Sequence, residues 1–80
     1  MTYSEVIIKR LTELCAKRKI TVNKLSTLSG ISQSTVENVM KGRTKYPTLK
    51  TLHKLATGLC MTVAELLDFP EMNELEFDDE

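Results

Sequence analysis

Between residues 22 and 39 the chain carries a set of residues whose spacing leaves few ways to pack. Leu25 and Ser26 sit five and four residues before Gly30, Ile31 follows the glycine directly, and Val36 and Val39 come six and nine residues after it. Two short helices that cross steeply over a tight turn have matching requirements. They need a small residue where their axes approach, a glycine in the turn, a buried apolar residue straight after it, and apolar anchors on the second helix. Ser26, Gly30, Ile31, Val36 and Val39 fill those places, with Leu25 the anchor from the first helix. One glycine between two helices is a weak signal; the whole set at this spacing is a specific one.

The rest of the chain reads as further helices around that pair, with helical spacing of apolar residues and no strand-like alternation. Tyr3, Ile7, Leu11 and Leu14 mark one face of a first helix, which Thr2 and Glu5 open as a capping box. Its end is expected near Lys19, where Lys17, Arg18 and Lys19 suit the negative end of the helix dipole. The second helix spans about 22–29, capped by Thr21 and closed by Gly30, which can turn left-handed at no steric cost. The third covers about 32–41 and stops at Gly42. Residues 43–47 form a loop, since Pro47 disfavours helix in the residue before it. Thr48 caps a fourth helix through about Gly58, with Leu49, Leu52, Leu55, Ala56 and Leu59 turned inward. Thr62 and Glu65 form a second capping box, opening a fifth helix from Val63 to about Asp68. Pro70 is expected to end regular structure. The expected organisation is one all-α domain over residues 1–69 and an acidic tail over 70–80, whose large apolar residues are Met72, Leu75 and Phe77.

The formal net charge of zero conceals a segregation. All eleven Lys and Arg residues lie between Lys9 and Lys54, opposed up to that point by Glu5, Glu13 and Glu37 alone; from Leu55 onward there are eight acids and no base. This split suggests a basic binding surface joined to an acidic tail, or a solvated surface with an acidic end.

The third helix favours the first of these. At about 100° per residue, Val36, Val39 and Met40 share the side that faces the core. Opposite them lie Gln33, Ser34, Glu37, Asn38 and Lys41, with Thr35 at the margin. Gln and Asn can pair bidentately with the adenine edge in the major groove, Ser serves several bases, and Glu37 either accepts from cytosine or repels phosphate. The flanks supply phosphate contacts. Lys41, Arg43, Thr44 and Lys45 follow directly, with backbone amides expected to be freed by the Gly42 turn. Ser32, with Thr35 beside it, stands at one helix start and Thr21 with Asn23 at another, where amides and dipole attract phosphate.

These residues resemble the Xre/Cro (phage repressor-like) family of helix-turn-helix transcriptional regulators. Leu25-Ser26, Ser29-Gly30-Ile31-Ser32, Thr35-Val36, Gly42-Arg43-Thr44-Lys45-Tyr46-Pro47, Leu52, Leu55-Ala56, Leu59 and Thr62-Val63-Ala64-Glu65-Leu66 carry the likeness. The resemblance implies a compact five-helix, lambda-repressor-like fold with the helix-turn-helix at helices 2 and 3. It also implies binding to duplex operators, often as a dimer, and transcriptional control in a bacterial, phage or mobile-element setting, in the cytoplasm and at the nucleoid. It assigns Gln33, Ser34 and Asn38 to bases, and Ser32, Lys41, Arg43 and Thr44 to the backbone. Four positions depart from the family pattern. Val22 stands where a phosphate-touching Gln is usual, and Ser26 where Ala is. Cys15 and Met40 replace a buried Arg–Glu pair, and Cys60 replaces a Gly after the fourth helix.

Other functions find little support. Cys15, Cys60 and His53 do not form a metal-ligand spacing, and the cysteines make a poor disulfide framework, in keeping with a reducing cytoplasm. No cofactor is expected. His53 has no sequence-adjacent nucleophile, and no glycine-rich phosphate loop or paired-carboxylate motif appears, so the reading is not an enzyme. No apolar run reaches the ~18 residues of a membrane span, and the N-terminus lacks the pattern of a secretory signal. The partners expected are an operator duplex and a second copy of the chain. The acidic tail also admits a protein partner, as in an antitoxin-like interaction module built on the same fold.

Overall fold

The computed structural model describes residues 1–77, so the last three tail positions lie outside the described residues. The described chain contains six helices: α1 (Tyr3–Arg18), α2 (Val22–Ser29), α3 (Gln33–Met40), α4 (Leu49–Gly58), α5 (Val63–Leu67) and α6 (Pro70–Asn73). The architecture is the all-α one expected, with α6 following the five expected helices. α2 packs against both α3 and α4, α4 against α5, and α1 against α3 and α6.

Each of the first five helices begins with a hydroxyl cap. Thr2, Thr21, Ser32, Thr48 and Thr62 accept from the amides of Glu5, Lys24, Thr35, Thr51 and Glu65. Each satisfies a donor that the helix start would otherwise leave unpaired, an effect of about 1 kcal/mol apiece. At Thr2 and Thr62 the carboxylates of Glu5 and Glu65 accept in return from the cap amides, at 2.7 and 2.8 Å. Those bonds hold both carboxyls below the ordinary carboxylate range.

The helix ends are equally defined. Lys19, Gly30, Gly42 and Cys60 all take left-handed backbones, with φ of 55, 69, 76 and 59°. The next residue in each case donates to the carbonyl five positions back: Ile20 to Cys15, Ile31 to Ser26, Arg43 to Asn38 and Met61 to Ala56. This is the Schellman closure, and Ile20, Ile31 and Met61 supply its usual apolar contact by packing on the core. Cys60 makes this left-handed turn with a side chain, at the position where the Xre/Cro resemblance leads to an expectation of glycine.

The core gathers Ile7, Leu11, Leu14, Cys15, Leu25, Val36, Val39, Leu55, Ala56, Leu59 and Leu66. Cys15 and Met40 both join this apolar packing, Met40 from its margin; burial pushes the Cys15 thiol up. α2 and α4 approach closely at Gly58, where a Cβ would lie 2.3 Å from Ser29 Oγ and 2.9 Å from the Ser29 amide nitrogen.

Two expectations are corrected. Leu49 is not inward but 68% exposed, while burial deepens through Leu52 to Leu55. The apolar stripe of α4 is real, but its first position runs past the edge of the core. Nor does Pro70 end regular structure. It occupies the first position of α6, where its fixed φ fits and its missing N–H costs nothing. Phe69, just before it, is buried. The Arg10 guanidinium sits 5.0 Å from the Phe69 ring centre and donates to the Leu66 and Glu65 carbonyls at 3.0 and 2.8 Å, closing the end of α5. Lys9 binds Glu71 and lies 3.4 Å from Glu13, fastening α6 to α1. This pairing raises the Lys9 pKa and lowers that of Glu71.

Candidate nucleic-acid interface

The α2–α3 pair has the geometry its sequence requires. Leu25, Val36 and Val39 are buried, and Ser26 fits the helix contact with its hydroxyl donating to the Asn23 carbonyl at 2.7 Å. A buried hydroxyl thus costs little at the crossing, because its bond is made within its own helix. With the apolar side of α3 fixed inward, its polar side must face solvent. Gln33, Ser34 and Thr35 are exposed, Glu37 and Asn38 half-buried, and Lys41 exposed at the helix end.

At the start of α3 the hydroxyls form a cluster. Ser32 Oγ accepts from the Thr35 amide at 3.2 Å and lies 3.2 Å from Ser34 Oγ and 2.8 Å from Thr35 Oγ1. Thr21 Oγ1 accepts from the Lys24 amide at 3.0 Å. A hydroxyl that caps by accepting can still direct its own proton at a phosphate oxygen. Asn23 is exposed beside Thr21, whereas Val22 is half-buried and packs against the core. The position where the family usually carries a phosphate-touching Gln is therefore spent on packing.

The loop after α3 departs from expectation. The Arg43 and Thr44 amides are not freed by the Gly42 turn; both donate to the Asn38 carbonyl, at 2.8 and 3.0 Å. The left-handed Gly42 folds the loop back onto the last turn of α3, so the Arg43 and Thr44 amides are already used and those two residues offer an anion only their side chains. Below the loop lies α1: a Cβ on Gly42 would stand 3.5 Å from Ser4 Oγ and 3.7 Å from Ile8 Cδ1. Tyr46 meets Tyr3 edge to face, ring centres 6.2 Å apart. Arg43 and Lys45 are exposed and Thr44 half-buried. The support from Ser4 and Ile8 was not anticipated, although their four-residue spacing places both on one face of α1.

A family model for the Cro/C1-type HTH DNA-binding domain matches residues 10–71. The chain belongs to that family. Its members bind DNA, and the Cro/C1 match covers α2, α3 and the loop together. A curated relative, the uncharacterized HTH-type transcriptional regulator RghRB of Bacillus subtilis (strain 168), is 37% identical over 59 residues, covering 74% of this chain and 42% of that protein. The chain thus spans less than half the length of that relative. The crystal structure of the prophage Lp1 protein 11 superposes with a TM-score of 0.81 at 37% identity, covering 94% of this chain and 99% of the other. Among the described residues no helix is long and apolar enough to cross a membrane.

Proposed function

We propose that this Cro/C1-type domain is a sequence-specific transcriptional repressor that lays α3 in the major groove of a short duplex operator. One observation carries the reading. The exposed side of α3 is polar, bounded by a hydroxyl-capped start and by a basic loop hydrogen-bonded to the same helix. Gln33, Ser34 and Asn38 contact base edges. Ser32, Thr35, Lys41, Arg43, Thr44 and Lys45, with Thr21 and Asn23 from the start of α2, contact phosphates and set the register. The protein acts by occupancy rather than catalysis, as a homodimer on paired half-sites, in the reducing cytoplasm where Cys15 and Cys60 stay free thiols.

Selection of duplexes from a random pool tests this directly, since it returns a base preference and a half-site spacing. Gln33→Ala and Asn38→Ala should each cost about 1–3 kcal/mol on the selected site and relax one base position. Lys45→Ala should weaken all sequences alike and reduce the salt slope by about 1. Absence of any duplex binding at low salt refutes the proposal.

A second reading has its own observation. Phe77 is 80% exposed and lines a shallow surface with Met1, Leu75, Glu71, Glu74 and Glu76. An acidic surface with an exposed aromatic fits a basic, apolar protein partner. Removing residues 74–80 separates the readings: unchanged DNA binding with loss of a co-purifying partner favours the second, and tighter DNA binding indicates that the tail masks the basic face.

A further inference from the structure

Two of the proposed reading side chains of α3, Gln33 and Asn38, are each bonded to a neighbouring side chain in a directional way. Gln33 Nε2 donates to Glu37 Oε1 at 2.9 Å. A carboxylate only accepts, so the amide nitrogen of Gln33 is turned to Glu37, leaving Oε1 and one remaining N–H for a ligand. Arg43 Nη1 donates to Asn38 Oδ1 at 3.3 Å. A guanidinium only donates, so the carbonyl end of Asn38 is engaged and its two amide protons remain. From these two bonds we infer that Glu37 and Arg43 are positioning residues for specificity. They fix the amide orientations of Gln33 and Asn38 before DNA arrives.

The consequence is a prediction of which base edges are complementary. Gln33 presents one acceptor and one donor, the pattern that pairs with N6–H and N7 of adenine. Asn38 turns its two amide protons outward while one lone pair of Oδ1 is taken by Arg43, a bias toward acceptors such as O4 of thymine or O6 and N7 of guanine. Without their partners the two amides turn freely, and each accepts a base of either polarity after a flip. On an exposed helix such side-chain bonds are weak. In a groove that expels water they strengthen, and a base that forces a flip must break one. Glu37 then acts through Gln33, rather than by accepting from cytosine, and Arg43 acts on sequence as well as on phosphate.

The inference rests on the proposed reading by α3, and one experiment distinguishes failure of either. Selection from a random pool, followed by competition on the selected duplex and its single-base variants, is run on the full chain and on Q33A, N38A, E37A, E37Q, R43A and R43K, with helicity checked by circular dichroism. Q33A and N38A identify the base each side chain reads. E37A is expected to lower the adenine preference at the Gln33 base by about 3–10-fold, the scale of one modest hydrogen bond. E37Q, which keeps a side-chain acceptor, should restore part of it. R43A should lower the preference at the Asn38 base by a similar factor, with partial recovery in R43K. The inference is overturned if E37A leaves the Gln33 base untouched or removes a cytosine preference elsewhere. It is equally overturned if R43A weakens all duplexes alike without changing the Asn38 base. If Q33A and N38A leave the base profile flat, reading by α3 has itself failed and the positioning roles fall with it.

Discussion

Replacing Gly58 with Ala sets two physical effects against each other. Gly58 ends α4 with ordinary helical backbone, so propensity alone favours alanine there, by at most about 1 kcal/mol. Packing opposes it. The added methyl would lie 2.3 Å from Ser29 Oγ, which a rotation of Ser29 can relieve, but also 2.9 Å from the Ser29 nitrogen and 3.1 Å from the Leu28 carbonyl carbon. Those two are backbone atoms of α2 and cannot turn away, so the helices must separate. Overpacking of this kind costs about 1–3 kcal/mol, and the net expectation is a loss of about 1–2 kcal/mol. For a domain of this size that lowers Tm by about 4–16 °C. Ser29→Ala provides the internal control. The Ser29 hydroxyl is buried with no hydrogen-bond partner, so its removal should stabilise by up to about 1 kcal/mol. The double variant should remain less stable than Ser29→Ala alone, because the backbone contacts persist. Thermal and urea unfolding of the four proteins gives these numbers. A Gly58→Ala protein as stable as the parent, with an unchanged urea m-value, would show that the α2–α4 approach does not constrain this fold.

Three further outcomes are expected. Cys60→Gly relieves a left-handed residue with a side chain and should raise stability by about 1 kcal/mol in urea unfolding, with DNA affinity unchanged. Arg10→Met should cost about 2 kcal/mol by calorimetry, because the Leu66 and Glu65 carbonyls lose a charged donor and Phe69 loses its cation. The carboxyls of Glu5, Glu65 and Glu71 are all held below their ordinary range. A lowered folded-state pKa gives stability that is present above the unfolded value and lost as pH falls through the folded one. Tm should therefore decline as pH drops below the ordinary carboxylate range, and an E5Q/E65Q variant should show a shallower decline over the same interval.

The sequence is informative wherever a single residue type performs a local task. Thr2, Thr21, Ser32, Thr48 and Thr62 announce helix starts because a short hydroxyl before a helical run has few other uses. Gly30 and Gly42 announce ends because the left-handed turn suits glycine. Lys19 and Cys60 make the same turn without that signal: the following Ile20 and Met61 hold it through a core contact, which depends on the whole fold. Arg10 was illegible for a related reason. Its carbonyl partners lie more than fifty residues away, on an element whose position no local pattern gives. In the candidate interface, the outward polar side of α3 followed from helical period alone. The return of the Arg43 and Thr44 amides to Asn38 did not, because it needs the φ of Gly42 and the support of α1 beneath it.

The fixed ends of α3 also set how long a stretch of DNA that helix could span if it is laid in a groove as proposed. Ser32 and Gly42 bracket a helix of eight residues, about 12 Å long at 1.5 Å per residue. Against the rise of roughly 3.4 Å per base pair, that is a word of three to four letters. A four-letter word recurs about once in every 250 base pairs of random sequence, while a chromosome offers upwards of a million sites. Neither end of the helix can yield another turn without breaking a cap or a closure. If α3 is the reader, an address on a chromosome has to be spelled by more than one of them, and the distance between words becomes part of the spelling.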